Sequence, residues 1–485
     1  MFAKEVYVNR REKLIELMRL AGERGLLLLV GNIETPVQAS TESNGVDFNQ
    51  DSNFLYYLGL NTPRLAAVID TDSGETCVYG DDATLNDLVW SGPQPTVREQ
   101  AERVGVGHTA PYHAFDETVR AALSTGRPVH FLPPLRYFNL LRVCEVTGCT
   151  PEMAKKVAPG SGLHASESFV KAVVSMRLVK EDVEIAALDE TCDLGVEMHE
   201  TGRRAIRPGG NENDVCAVMD WVAKRTGWGR SFATICTQQG EILHGMRHDR
   251  VLVPGKLLVV DAGVESHEHY ASDFTRTYPV SGRFTPKQRD IYQIVNDCNE
   301  LAFSLTKPGI AYREVHLAVT RRMLEGLSAL GLVRGDLDEM AALGIAGLFM
   351  PHGLGHNLGL DSHDIADLGE DLVGYDPDQR RSGQLGLGNL RMARRLRPGH
   401  VVTDEPGIYF IPALIEQWKR DGTDRGYVNY GRLEAYYDFG GIRLEDDILV
   451  TEDGARRLGT RRLPIRIDEV EAAMEYHIHG KEEVL

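Results

Sequence analysis

The sequence predicts a two-domain protein that mixes helices and strands, an α/β (α+β) fold. The chain has 485 residues, so two large domains or three smaller ones are expected. Short apolar runs alternate with helical stretches up to about residue 165, and beyond it glycine-rich turns join strands and helices. The Pro/Gly/Ser-rich segment 158–162 is the best linker candidate. We therefore expect an N-terminal mixed α/β domain at residues 1–168 and a second domain at residues 169–485.

Apolar periodicity predicts the individual elements in order. In the N-terminal domain, helices are expected at residues 7–20, 95–104 and 115–123, and strands at residues 25–30, 66–70 and 76–79. The turn cluster Asp70-Thr-Asp-Ser-Gly74 separates the last two strands. In the second domain a long amphipathic helix is expected at residues 181–205, and the turn Arg207-Pro-Gly-Gly210 ends it.

Composition and charge exclude several classes of function. The net charge is −18, and a nucleic-acid backbone must be met by clustered basic residues, so we expect no nucleic-acid partner. The apolar run at residues 26–30 is too short to span a bilayer, so we expect a buried strand there, with no membrane anchor and no signal peptide. Seven cysteines without C-x-x-C spacing predict reduced thiols in a cytoplasmic protein.

Two aspartates lie at strand ends of the second domain. Asp261 ends the apolar strand 257–261, and Asp273 lies in a second predicted strand, residues 269–277. The two strands could form a hairpin that holds both carboxylates together, although such a pair taken alone is more often two strand-end turns. A buried carboxylate needs a partner, because an unpaired buried charge is expensive.

Three histidines follow in a glycine-rich segment. His352, His356 and His363 lie within twelve residues, and the interleaved glycines allow close approach of the backbone. One histidine would more often be a satisfied core residue, but three together indicate a functional site.

Two further acidic residues lie on predicted strands near the C-terminus. Strand alternation places Glu405 on one face and Asp404 on the other, and it places Arg443 and Glu445 on a shared face of residues 441–447. Buried glutamates are too costly unless a cation lies between them.

These residues balance two divalent cations. Four carboxylates, Asp261, Asp273, Glu405 and Glu445, supply four negative charges, and His356 adds a neutral nitrogen. Oxygen-rich ligation with one imidazole favours Mn²⁺ or a similar metal, and Co²⁺, Zn²⁺ and Fe²⁺ also accept such ligands. Because two such metals activate a water molecule at neutral pH, the set predicts hydrolysis.

At these residues the chain resembles the metallopeptidase family that includes aminopeptidase P, prolidase and methionine aminopeptidase. Five motifs match in order: Val260-Asp261-Ala-Gly, Ser272-Asp273-Phe-Thr-Arg-Thr, His352-Gly-Leu-Gly-His356, Glu405-Pro-Gly and Gly441-Ile-Arg-Leu-Glu445. The resemblance implies that the second domain has the pita-bread (creatinase/aminopeptidase-like) fold. It also implies hydrolysis of the bond between an N-terminal residue and proline, with short proline-containing peptides as substrates.

The resemblance also implies a role for each residue. Asp261 is expected to bind one metal, Asp273 and Glu445 to bridge both, and His356 and Glu405 to bind the second. Glu405 is the expected general base towards the bridging water. His352 and His363 are the expected catalytic histidines that contact the substrate and stabilise the oxyanion. His244 is expected near the proline of the substrate, and Arg443 is expected to orient Asp261.

The N-terminal half indicates which members of the family the chain resembles most. Residues 48–59 resemble the N-terminal domain signature of aminopeptidase P and prolidase, so methionine aminopeptidase, which lacks this domain, is disfavoured. Trp90 resembles an aminopeptidase P tryptophan that approaches a neighbouring subunit's site, and a core aromatic is the alternative. A homo-oligomer, a dimer or a tetramer, is therefore expected.

Arg391 favours a dipeptidase. It lies fourteen residues before Glu405, where prolidases carry an arginine that binds the free carboxylate of proline, for which a guanidinium is suited. The 40-residue separation of Glu405 and Glu445 is also prolidase-like. The N-terminal signature favours aminopeptidase P, which acts on longer peptides, and a surface role for Arg391 is the alternative. A non-catalytic pita-bread binding protein is more remote, because it would lack ligands that this chain has. The role of Asp404, at a position that is commonly apolar, stays open.

Overall fold

The computed structural model describes residues 1–35 and 47–478. The chain divides into two compact units, Met1–Arg177 and Leu178–Leu485. Each unit contains helices and strands, which confirms the predicted α/β (α+β) mixture. The predicted domain boundary at 168/169 falls inside the helix Glu167–Arg177 and stays a prediction.

The first unit contains eight helices and seven strands in its described part. In chain order they are α1 (Lys4–Leu20), β1 (Leu26–Val30), α2 (Ser52–Leu58), β2 (Ala66–Asp70), β3 (Thr76–Tyr79), α3 (Leu85–Ser91), α4 (Val97–Arg103), β4 (His108–Ala110), α5 (Ala114–Ser124), β5 (Val129–Phe131), α6 (Tyr137–Thr147), α7 (Pro151–Ala154), β6 (Val157–Ala158), β7 (Ala165–Ser166) and α8 (Glu167–Arg177).

A five-stranded mixed sheet forms the centre of this unit, in the order β4-β3-β2-β1-β5. The strands β1 and β2 pair antiparallel from Leu26 opposite Asp70 to Val30 opposite Ala66, and β5 joins β1 in parallel. The leucine-rich strand β1 is buried along almost its whole length, as an apolar run without alternation predicts.

The signature at residues 48–59 is a structural feature of this unit. The side chain of Asp51 caps α2 by accepting a hydrogen bond from Phe54 N at 2.9 Å. The helix ends at Gly59, which has φ of 62° and lies so close to Tyr7 that a Cβ would meet its ring at 2.3 Å. Glycine is therefore required at this position.

The second unit contains nine helices and ten strands in its described part. They are α9 (Asp182–Ala205), α10 (Glu212–Thr226), β8 (Gly229–Arg230), β9 (Ile235–Thr237), β10 (Leu257–Ala262), β11 (Val264–Glu265), β12 (Phe274–Pro279), α11 (Pro286–Leu305), α12 (Tyr312–Ala329), α13 (Leu337–Ala342), α14 (Glu370–Gly374), β13 (Val401–Asp404), β14 (Gly407–Tyr409), α15 (Pro412–Asp421), α16 (Tyr430–Leu433), β15 (Gly441–Arg443), β16 (Asp446–Val450), β17 (Ala455–Arg457) and α17 (Ile467–Ile478). Short 3₁₀ helices lie at Ile345–Leu348, Ala366–Leu368, Leu387–Asn389 and Glu434–Tyr436.

Small antiparallel sheets carry the strand-end residues of this unit. Their orders are β12-β10-β9, β13-β16-β17, β14-β15 and β11-β8. The bridge between Thr275 and Glu445 connects β12 to the segment between β15 and β16. A large apolar core packs the helices against these sheets, and it includes Leu258, Val260, Val402 and Ile448.

The structure differs from the sequence predictions at two strands and at one side chain. The second strand of the hairpin begins at Phe274, not at residue 269, because His269 has φ of 67° and turns the chain. The predicted strand 441–447 is interrupted, since Leu444 N donates to Pro406 O and Glu445 N donates to Thr275 O. The core-aromatic alternative for Trp90 is wrong, because its side chain is 75% exposed.

In the described part of the chain, no helix combines the length and the apolar character needed to cross a bilayer.

Candidate metal centre

The predicted hairpin brings two buried aspartates together. The strands β10 and β12 pair antiparallel with Asp261 opposite Thr275, and Asp273 immediately precedes β12. The backbone N–H of Asp273 donates to Asp447 Oδ2 at 2.9 Å, which fixes the start of the second strand. The interpretation as two unrelated turns is therefore wrong.

Four of the predicted metal ligands converge in this hairpin region. Asp273, His356 and Glu445 each offer one ligand atom, and the three atoms lie within 4.8 Å of one another. His356 Nε2 lies 3.5 Å from Asp273 Oδ2 and 3.7 Å from Glu405 Oε1. The hydroxyl of Thr275 donates to Glu445 Oε2 at 2.6 Å, which orients this carboxylate.

His356 is held in the tautomer that a metal requires. Its Nδ1 lies 3.0 Å from Asn357 O, and a carbonyl oxygen can only accept, so Nδ1 carries the proton. The lone pair of Nε2 therefore faces Asp273 and Glu405. Metal-binding histidines usually donate a hydrogen bond in this way from the ring nitrogen that does not bind the metal.

Asp261 completes the donor set. One of its oxygens, Oδ2, accepts a hydrogen bond from Arg443 Nη2 at 2.5 Å, as expected for an orienting arginine. Within residues 1–35 and 47–478, no hydrogen-bond partner reaches the other oxygen, Oδ1, although it is buried. A buried carboxylate oxygen without a partner is costly unless a cation neutralises it, so the donor set fits divalent metal ions.

The electrostatics of the site also favour cations. Burial, followed by the charges of Glu445 and Asp261, raises the pKa of Asp273 well above its ordinary value. Burial, followed by the charges of Glu405 and Asp261, does the same to the pKa of Glu445. Burial also raises the pKa of Glu405 to about 7, and Arg443 only partly opposes this shift. The centre therefore has an excess of negative charge that protons or metal ions must neutralise.

Metal affinity is expected to rise with pH between about 6 and 8. Glu405, with a pKa of about 7, holds a proton at pH 6 that a bound metal must displace, whereas at pH 8 the carboxylate is already ionised. Each displaced proton steepens the dependence by about tenfold per pH unit. Calorimetric Mn²⁺ titrations in two buffers of different ionisation enthalpy would count the released protons. An affinity that is independent of pH would contradict this arrangement.

Sequence reasoning missed Tyr409, which connects two predicted residues. His352 Nδ1 donates to Gly353 O at 2.8 Å, and its Nε2 accepts from the Tyr409 hydroxyl at 2.9 Å. The same hydroxyl accepts from Arg443 Nη1 at 2.8 Å. Burial lowers the pKa of His352 to about 3, so this ring is neutral at physiological pH. The alternation of Glu405, Gly407 and Tyr409 was the sequence signal that could have found the tyrosine.

The other two predicted histidines lie near this network. The ring of His363 contacts that of His356 edge to face, with centroids 4.4 Å apart. Burial, followed by the charges of Arg391 and His244, lowers the pKa of His363 to about 4. His244 is exposed and also influences the pKa of His352, so it lies within electrostatic range of both rings.

Arg391 and Asp404 differ in their surroundings. Arg391 is partly exposed and forms an ion pair with Glu370. Its charge adds to the lowering of the His356 pKa and partly opposes the rise of the Glu405 pKa. Asp404 is fully buried, and burial followed by the charge of Asp446 raises its pKa well above the ordinary value.

Comparisons with known proteins agree with this geometry. The model of metallopeptidase family M24 matches residues 186–452, and that of the aminopeptidase P N-terminal domain matches residues 7–130. The chain is 29% identical to an Xaa-Pro dipeptidase of Homo sapiens, over 97% of this chain and 93% of the relative. It is also 29% identical to a probable Xaa-Pro aminopeptidase of Uncinocarpus reesii, over 96% of this chain and 93% of the relative.

A solved structure supports the same relationship. Aminopeptidase P from Escherichia coli with the inhibitor Pro-Leu superposes with a TM-score of 0.78 at 27% identity, over 98% of this chain and 99% of that chain. The expected architecture, an N-terminal mixed α/β domain followed by a pita-bread catalytic domain, is thereby confirmed. Because the family model covers more than half of the sequence, the chain belongs to metallopeptidase family M24.

Proposed function

We propose that the protein is an Xaa-Pro dipeptidase that works with two divalent metal ions. The observation that carries this proposal is the cluster of Asp261, Asp273, His356, Glu405 and Glu445, of which all but the partly exposed Glu405 are buried. Its four carboxylates are accompanied by one buried arginine, Arg443, which forms an ion pair with Asp261. Such a cluster is costly in a metal-free protein and favourable around cations. The names of the human and fungal relatives supply the substrate class.

The five residues of the cluster would hold the metals. Carboxylate oxygens with one imidazole favour Mn²⁺, and Co²⁺, Zn²⁺ or Fe²⁺ are the alternatives. When bound, two such ions would supply Lewis acidity and lower the pKa of a water molecule at the site.

The side chains around the cluster would bind the substrate and move its protons. Glu405 acts as the general base, because its carboxylate lies at the cluster, with Oε1 3.7 Å from His356 Nε2, and can accept a proton there. His363 is neutral at this pH and donates an N–H to the oxygen of the scissile carbonyl as negative charge develops there. The network from Arg443 through Tyr409 fixes the orientation of His352 beside the substrate.

Proline explains why a dedicated site is needed. Its tertiary amide has no N–H and its ring fixes φ, so a general peptidase loses a backbone contact at this residue. A site that relies on histidines and metal ions makes no use of the missing N–H. His244, which we expect near the proline ring, would complete the contact.

Arg391 would distinguish a dipeptidase from an aminopeptidase. A dipeptide ends in a free carboxylate, which a guanidinium binds with two parallel hydrogen bonds. The effect of the Arg391 charge on the pKa of His363 and Glu405 supports its position near the substrate. Aminopeptidase P activity on longer peptides is the second candidate function, and the fungal relative and the N-terminal domain favour it.

The test compares Ala-Pro with the same sequence extended by two residues, in Mn²⁺, for the wild type and Arg391→Ala. We expect rapid cleavage of the dipeptide, with kcat/KM lowered about 10²-fold in the variant, because a charge-assisted bidentate contact is lost. The longer peptide should be a poor substrate for both proteins. Preference for the longer peptide, insensitive to Arg391, would make the protein an aminopeptidase P. Failure to cleave either peptide with metal bound would favour a binding protein.

We also propose that the protein is a cytoplasmic homo-oligomer, a dimer or a tetramer. The helix α3 exposes four large apolar side chains, Leu85, Leu88, Val89 and Trp90, which an isolated subunit leaves in water. The free state of all seven cysteines supports a reducing compartment. Light scattering of the purified protein would measure the number of subunits.

A further inference from the structure

A row of alternating charges lies next to the proposed carboxylate-binding arginine. Arg391 Nη1 forms an ion pair with Glu370 Oε1, and Arg381 Nη2 donates to Glu370 Oε2 at 2.8 Å. Each oxygen of the Glu370 carboxylate is therefore taken by a different arginine. The side chains of all three residues are only partly exposed, which reduces the screening of their charges by solvent.

The backbone holds this row in place. Glu370 begins α14, and the segment that carries Arg391 is bound to the other end of this helix by Ala393 N, which donates to Gly374 O at 2.7 Å. A Cβ on Gly374 would lie 1.8 Å from Arg391 O, so the two segments are in direct contact. Arg381 Nη1 donates to Gly388 O at 3.0 Å, which anchors the second arginine.

The charges of the row explain why a second arginine is needed. Glu370 alone would neutralise Arg391 and repel an incoming carboxylate. With Arg381 the row carries two positive charges and one negative charge, so it keeps a net positive charge. Asp371 also accepts from Arg381 Nε at 3.0 Å, but its side chain is 75% exposed and contributes little at physiological ionic strength.

We propose that Arg381 is a specificity-determining residue for the free carboxylate of the substrate, acting through Glu370 and Arg391. Nη1 of Arg391 donates to Glu370. Among the described residues, the Nε and Nη2 groups of Arg391 form no hydrogen bond. This edge of the guanidinium is available for bidentate binding. Arg381 offsets the negative charge of Glu370, so that Arg391 keeps its full attraction for the carboxylate of the substrate. The inference rests on the proposed dipeptidase function.

The experiment measures KM and kcat for Ala-Pro and for Ala-Pro-amide, which lacks the terminal charge, with the Mn²⁺-loaded protein. Arg381→Ala is expected to raise the ratio of the two KM values, dipeptide over amide, by about fivefold to tenfold. Adding Glu370→Gln to Arg381→Ala should return the ratio to within about twofold of the wild type, because the net charge of the row is restored. A purely structural role of Arg381 would not be rescued in this way.

Arg380→Ala is the matched control, since among the described residues this neighbouring exposed arginine donates only to the backbone carbonyls of Pro377 and Gln379. It should leave the ratio unchanged. An unchanged ratio in Arg381→Ala, or no rescue by Glu370→Gln, would overturn the inference. Arg391→Ala distinguishes failure of this inference from failure of the proposed dipeptidase function. If Arg391→Ala leaves the ratio unchanged, the proposed dipeptidase function itself is wrong.

Discussion

The Glu405→Gln variant is expected to bind metal and to lose catalysis, with kcat lowered by about 10²- to 10⁴-fold. The amide keeps an oxygen that can face the metals, but it cannot accept a proton. The side chain is well placed to act as a base, because Thr403 Oγ1 donates to its Oε1 at 3.4 Å and its backbone N–H donates to Leu354 O at 2.9 Å. A glutamine can form both hydrogen bonds, so the fold should persist.

The measurement is kcat on Ala-Pro together with metal analysis of the same sample. Glu452→Gln is the matched control, because Glu452 is exposed and lies outside the cluster, and it should keep the wild-type rate. Near-normal activity of Glu405→Gln with metal bound would exclude Glu405 as the general base.

Asp273→Asn should abolish the metal-dependent gain in stability and lower activity by about 10³-fold, because a proposed bridging ligand loses its charge. The metal-free variant should nevertheless melt about 2–4 °C higher than the metal-free wild type at pH 8. Burial, followed by repulsion from Glu445 and Asp261, raises the pKa of Asp273, and a neutral amide relieves both effects.

The pH dependence of this difference follows from the direction of the pKa shift. A carboxyl group whose pKa is raised by folding destabilises the native state as pH rises through that value, because the unfolded chain then holds fewer protons. The melting difference should therefore shrink as the pH is lowered, because Asp273 of the wild type takes up a proton and the repulsion is relieved there as well. Melting curves at pH 5 and pH 8, with chelator and with Mn²⁺, would measure it. An equal gain from Mn²⁺ in Asp273→Asn and in an exposed control, Asp249→Asn, would contradict a ligand role for Asp273.

Local pattern was enough to predict much of the fold and of the cluster. The strands β1, β2 and β10 can be predicted from the sequence, because each is a buried apolar run with turns at its ends. Buried carboxylates that end or follow such strands need a neutralising cation. This shared requirement predicts that they lie together even when no contact between them is known. Asp273, His356 and Glu445 do come together, as this reasoning requires.

Features that depend on distant partners could not be predicted in this way. Tyr409 acts through His352 and Arg443, which lie 57 and 34 residues away in the chain. The interruption of the strand at Leu444 depends on backbone partners in other segments. Glu370 and Arg381 resemble ordinary surface charges in the sequence, and only the structure brings them to Arg391.

The most direct test is hydrolysis of Ala-Pro and of Ala-Ala by protein loaded with two Mn²⁺ ions per chain. Both peptides carry the same termini, so the comparison isolates the requirement for proline. We predict that kcat/KM for Ala-Pro exceeds that for Ala-Ala by at least about 10²-fold and that both activities disappear with chelator. Equal cleavage of the two peptides, or no cleavage of Ala-Pro with both metals bound, would contradict the proposal that this metal centre serves an Xaa-Pro peptidase.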